Sequence, residues 1–102
     1  MPFVYLLRCR GDALYCGWTI DLDARIAKHE AGTASKYTAR RGPVALAAAW
    51  ETETKTQARS LEGKIKRLTP AQKRALVAGE PLNGAIRLKD PIQPVNRGRT
   101  PT

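Results

Sequence analysis

Cys9 and Cys16 are the only cysteines in this chain. Two thiols without metal-type spacing cannot build a zinc site, and they are too few for a disulfide framework, so a reducing cytoplasm is the expected setting. No apolar stretch approaches the ~20 residues that span a bilayer, so no membrane association is expected. The N-terminus lacks a basic segment followed by a long apolar run, and no secretory signal is read there. Internal repeats and low-complexity segments are absent as well. Acid is scarce: nine Asp and Glu stand against eighteen Lys and Arg, giving a net charge of +9 and an isoelectric point of about 10.2. Such a chain attracts polyanions at long range, although the same charge also serves plain solubility. What remains is 102 residues, 42% of them hydrophobic, enough for one domain with its own core.

Two runs near the start, Phe3 to Leu7 and Leu14 to Thr19, are rich in aromatic and β-branched residues, with Arg10-Gly11-Asp12 between them as a turn signal. A hairpin is expected, and its loop length decides where the side chains point. With a three-residue loop, Cys9 pairs with Ala13, Tyr5 lies opposite Gly17, and Tyr15 lies opposite Leu7, so both tyrosines share a face. A two-residue turn would send them to opposite faces. In the three-residue register Cys9 and Cys16 face apart, and Gly17 is expected to leave room in front of Tyr5 for a substrate or water. Asp21 reads as the cap of a helix carrying Leu22, Arg25, Ile26 and His29 and ending at Gly32. Thr33 to Gly42 is polar and basic. Pro43 to Trp50 reads as a buried strand. Thr54 with Gln57 opens a second long helix with Ala58, Leu61, Ile65 and Leu68 as its apolar stripe. Thr69-Pro70-Ala71-Gln72 opens a third, ending at Gly79. Trp18 and Trp50 are assigned to packing.

Val4-Tyr5-Leu6 followed by Tyr15-Cys16-Gly17, then Arg25, His29 and, on a later helix, Glu62, resembles the GIY-YIG nuclease domain over roughly the first two-thirds of the chain. The departures at Val4, Leu6 and Cys16 read as strand-packing swaps that touch neither tyrosine. In size the chain is similar to small stand-alone bacterial members, themselves similar to the nuclease module of flap- and junction-cutting endonucleases. The expected fold is α/β (α+β), a small, mainly antiparallel three-stranded sheet flanked by helices over residues 1–80. Residues 81–102 hold four of the seven prolines and read as a basic tail, either packed in part through Leu82, Ile86 and Leu88 or disordered. This tail is the candidate docking element for a protein partner.

The resemblance implies a metal-dependent endonuclease on DNA, with RNA as a second candidate, selecting structure rather than sequence and acting in repair or recombination. Tyr5 is the candidate base, and a phenol becomes one only if nearby positive charge lowers its pKa. Arg25 braces the scissile phosphate, Glu62 holds Mg²⁺ or Mn²⁺, and His29 and Tyr15 position water or phosphate. Lys36, Tyr37, Arg40 and Arg41 grip the flanking backbone, with Tyr37 available to stack on a splayed base. Each residue also has a plainer reading. The tyrosines can be sheet packing, Glu62 can pair with Lys66, Arg25 with Asp21, and His29 can cap its helix. On those readings the protein is a non-catalytic nucleic-acid-binding module, RNA- or ribosome-associated, on the same fold.

Overall fold

The computed structural model describes residues 1–88. Four strands form one antiparallel sheet in the order β2-β1-β3-β4, with β1 at Phe3–Cys9, β2 at Leu14–Thr19, β3 at Pro43–Glu51 and β4 at Ile86–Arg87. The helices are α1 (Leu22–Glu30), α2 (Lys36–Arg41), α3 (Lys55–Lys66) and α4 (Pro70–Ala78).

The hairpin has the three-residue connection. Arg10–Asp12 forms a 3₁₀ turn in which Gly11 and Asp12 take left-handed backbone angles, φ 76° and 62°. Glycine takes this region at no steric cost, and aspartate is among the few others that tolerate it. Cys9 N–H donates to Ala13 O at 2.7 Å and closes the loop. Tyr5 then pairs with Gly17 and Leu7 with Tyr15, so both phenols leave the sheet on one side.

Strand alternation sorts the sheet into two cores. Val4, Leu6, Cys16, Ala48 and Trp50 face α3 and α4, where Ala58, Leu61, Ile65 and Leu76 close over them. Val4, Leu6 and Cys16 are all buried here, which bears out their reading as packing residues. Burying each large aliphatic side chain contributes roughly 1.5–3 kcal/mol. On the opposite face Tyr5, Leu7 and Ala49 meet Ile26 of α1, with Leu22 and Tyr15 at the margin. Cys9 and Cys16 are both free and buried.

The helix starts follow their caps. Asp21 Oδ1 accepts from Ala24 N–H, Thr54 Oγ1 from Gln57 N–H, and Thr69 with Gln72 makes a reciprocal capping box. At α3 the return bond is displaced by one residue, because Gln57 Oε1 takes Glu53 N–H at 2.9 Å. Among the described residues no helix is long and apolar enough to cross a membrane.

Three details differ from the sequence reading. The sheet has four strands, not three: Ile86–Arg87 pairs with Trp50 and Glu51, and Leu88 N–H donates to Ala49 O at 2.9 Å. Arg87 anchors this strand, its guanidinium donating to the Leu76 and Val77 carbonyls at 2.6 and 2.8 Å and lying over the Trp50 ring. Leu82 and Leu88 pack as expected, while Ile86 is exposed. The rest of the expected tail lies outside the described residues. The polar stretch before β3 contains a helix, α2, begun by Ser35 Oγ accepting from Thr38 N–H at 3.1 Å. Arg10 of the hairpin loop donates to the carbonyls of Arg41 and Arg40 at 3.0 and 3.3 Å and so moors the C-terminal end of α2 to the hairpin. The space in front of Gly17, expected to be open, is filled by the Tyr5 ring itself.

Candidate active site

Four of the five converging residues expected from the sequence line one cleft of about 440 Å³: Tyr5 from β1, Tyr15 from β2, Arg25 from α1 and Glu62 from α3. The cleft forms where β2 is the outer strand of the sheet. α1 approaches that edge from one face and α3 from the other, so a carboxylate and a guanidinium from opposite layers reach the same opening. Trp18, Asp21 and Lys28 complete the relevant wall. Lys28 was not singled out from sequence, although its position three residues after Arg25 was the signal for a shared face.

His29 stands behind the cleft rather than in its wall. It is wholly buried, with Nε2 at 2.8 Å from Tyr5 Oη and Nδ1 at 2.8 Å from Thr38 Oγ1. Thr38, also wholly buried, donates its own hydroxyl proton to Ser35 O at 3.4 Å. We assign the tautomer from this network. Thr38 Oγ1 accepts from Nδ1–H, which leaves Nε2 to accept the Tyr5 hydroxyl proton. The helix-cap reading of His29 is therefore replaced by a buried connection from α2 to the tyrosine. Thr38 escaped the sequence reading because its link to His29 is tertiary; only Ser35 three residues before it marked the helix start that places it.

Burial, reinforced by the Arg25 charge, lowers the His29 pKa to about 4, so the ring is neutral at neutral pH. Burial also raises Tyr5 well above the usual phenol, with the neighbouring Tyr15 adding to the rise and Arg25 opposing it. Tyr5 is accordingly a protonated phenol and a hydrogen-bond donor at rest. Burial, followed by the Glu62 charge, pushes Cys16 up to about 12, which keeps it a thiol.

The His29 shift has a measurable consequence for stability. An unfolded histidine takes its proton near pH 6.5, whereas the folded one resists until about pH 4. This contribution is complete above pH 6.5 and is lost as pH falls from there to about 4, at a cost of about 3 kcal/mol. Denaturation of wild type and His29→Gln across that window should show a steeper acid loss in wild type. Parallel profiles would contradict it.

Glu62 accepts an ion pair from Lys66 at 3.4 Å, so the plainer reading of that residue is realised as well. The two coexist, because the carboxylate still borders the cleft. Arg25 and Asp21 make no ion pair; Asp21 spends its carboxylate on the α1 cap. Among the described residues no three His, Cys, Asp or Glu side chains gather into a metal cage. Glu62, the cleft carboxylate not spent on a helix cap, is the residue there that could hold a cation keeping most of its own water shell.

The four residues expected to grip the backbone lie on α2, outside the cleft wall. Tyr37 stacks on Tyr15 at 5.7 Å between centroids and 28° between planes, and the Arg41 guanidinium sits 5.4 Å from the Tyr37 ring. Tyr15 also meets His29 edge-on at 5.1 Å. Lys36, Arg40 and Arg41 are exposed.

Residues 1–75 match the family model described as the GIY-YIG catalytic domain. A UPF0213 protein of Clostridium perfringens is 44% identical over 80 residues, covering 78% of this chain and 86% of the relative. A UPF0213 protein of Vibrio cholerae is 45% identical over 80 residues, covering 76% and 77%. The solution structure of the UPF0213 protein BH0048 from Bacillus halodurans superposes with a TM-score of 0.51 at 40% identity, covering 82% of this chain and 87% of that one.

Proposed function

Because this chain belongs to the GIY-YIG family, we propose that it is a metal-dependent endonuclease that hydrolyses phosphodiester bonds in DNA and selects its substrate by shape. The observation that carries this reading is the convergence of Tyr5, Tyr15, Arg25 and Glu62 on one cleft from four separate elements. Packing alone has no need to bring a guanidinium and a carboxylate from opposite layers to the mouth of two phenols.

Arg25, with its fixed charge and forked donors, holds a phosphate against the cleft wall, and Lys28 on the same helix adds a second positive contact. Both address phosphate, which positions a nucleic acid but carries no base information, and this favours shape over sequence. Tyr5 takes the proton of the attacking water as it passes its own to His29 Nε2, so no free phenolate has to form in a buried site. His29 is suited to receive it because it is neutral and its Nδ1–H is already fixed by Thr38. Glu62 is the residue that would hold the divalent cation, Mg²⁺ or Mn²⁺. That cation, when bound, supplies charge stabilisation at the phosphate and the departing oxygen.

The test uses labelled single-stranded, duplex, flap and branched DNA, with RNA counterparts, in Mg²⁺, Mn²⁺ or EDTA. Cleavage should require the cation, favour a discontinuous substrate, and fall by roughly a hundredfold or more in Tyr5→Phe, the range for loss of an acid–base group starting at about that factor. Binding to all of these without cutting any would overturn the enzyme and leave the nucleic-acid-binding module.

A further inference from the structure

A second cavity of about 210 Å³ opens beside the cleft, between the hairpin and the start of α4. Asp12 and Leu14 contribute one side, Lys73 and Arg74 the other, and Tyr37 the wall nearest the cleft. Tyr37 belongs to this cavity and Tyr15 to the cleft, and the two rings stack on each other. A single aromatic pair is thus the partition between the two openings and a continuous platform joining them. Neither Lys73 nor Arg74 has a salt-bridge partner among the described residues. None of these cavity residues enters the proposed chemistry.

We propose that this cavity is a subsite for one nucleotide of an unpaired strand that continues out of the catalytic cleft. The inference rests on the nucleic-acid reading of that cleft and specifies which part of the substrate is single-stranded. Lys73 and Arg74 supply the charge for a phosphate, and Asp12, the acid in the lining, disfavours phosphate on the hairpin side. The base therefore falls toward Tyr37, which is 41% exposed; Tyr15 already takes one stacking contact of that ring, so the base meets it beside or in place of the Arg41 guanidinium 5.4 Å from its centroid. A base can use an aromatic platform only when it has left its own helical stack, so a paired strand gains nothing here. The cavity, about 210 Å³, admits the base and part of the sugar of one nucleotide with its phosphate at the open side, and is too small for a duplex. Discrimination between continuous duplex and a substrate with an unpaired extension follows from this geometry.

The experiment is equilibrium binding by fluorescence anisotropy in EDTA, where no cleavage occurs. A blunt DNA duplex is compared with the same duplex carrying a short single-stranded tail. Wild type should bind the tailed form about tenfold more tightly, the scale of one stacked base. Lys73→Ala with Arg74→Ala, and separately Tyr37→Ala, should bring that preference to within about twofold while blunt-duplex affinity changes little. Tyr37→Phe should keep the preference, since it keeps the ring. Arg74→Ala alone, at an exposed position, guards against misfolding of the double variant and should lose part of it. Lys55→Ala with Arg59→Ala, removing two exposed cations outside both openings, should weaken blunt and tailed binding alike.

No tail preference in wild type would overturn the subsite. So would a preference that survives loss of Lys73 and Arg74, or equal loss on both probes as in the α3 control. A wild type that prefers the tail yet never cuts would instead remove the endonuclease reading and leave the subsite standing.

Discussion

Replacing Glu62 by glutamine is expected to lower cation-dependent cleavage by about a thousandfold, the equivalent of roughly 4 kcal/mol of lost charge stabilisation. DNA affinity should be unchanged or higher, because a carboxylate at the cleft mouth repels phosphate when no cation is bound. The substitution is nearly isosteric, so α3 and its packing should be preserved. If Glu62 serves only its ion pair with Lys66, the result is different. That pair is partly exposed, 53% on the lysine side, and surface pairs contribute about 0–1 kcal/mol to stability and nothing to hydrolysis. Lys66→Ala separates the two cases. It removes the same ion pair while sparing the carboxylate, and it should leave cutting intact. Single-turnover rates and anisotropy on the same DNA would read both quantities.

A methyl group at position 17 should be nearly as damaging, by steric means alone. An added Cβ on Gly17 would lie 2.5 Å from Tyr5 Oη, 2.7 Å from Cζ and 3.2 Å from Cε1. Tyr5 cannot retreat, because its ring is buried and its hydroxyl is tied to His29. Gly17→Ala is therefore expected to destabilise the protein by about 1–3 kcal/mol through overpacking. It should also cut the rate by about a hundredfold as the phenol shifts by a fraction of its own width. Gly63→Ala provides the contrast. It sits inside α3 with nothing within 4 Å of an added Cβ, and alanine there should raise stability by about 1 kcal/mol at unchanged activity. Denaturation midpoints and cleavage rates of the two variants check this directly; equal behaviour would refute it.

The hairpin shows how far local rules reach. Arg10-Gly11-Asp12 marked a turn without fixing its length, and the three-residue connection that forms sets the pairing of Tyr5 with Gly17 and the common face of both tyrosines. The caps at Asp21, Thr54 and Thr69 were legible, since a cap lies within a few residues of the bonds it makes. What escaped was non-local or short. Ile86–Arg87 is a two-residue strand with no alternation to detect, held by an arginine reaching to the end of α4. Thr38 became visible as a partner of His29 only when α1 and α2 were placed side by side. Gly17 was read as leaving room for a substrate or water, whereas the Tyr5 ring occupies that space, because strand spacing shows a missing side chain but not which neighbour fills its place. The resemblance carried the positions of Arg25 and Glu62, which no periodicity could have brought to one cleft.

The outer position of β2 has a further consequence, for self-association. An unpaired strand edge is a template onto which another chain can zip, and proteins commonly guard such edges with charge. Here Arg25 and Lys28 stand over that edge. The cations proposed to hold a polyanion there would meet the same cations on a second copy, and that repulsion opposes edge-to-edge pairing between copies. Neutralising both would then be an invitation to strand-on-strand pairing as well as a loss of grip on DNA.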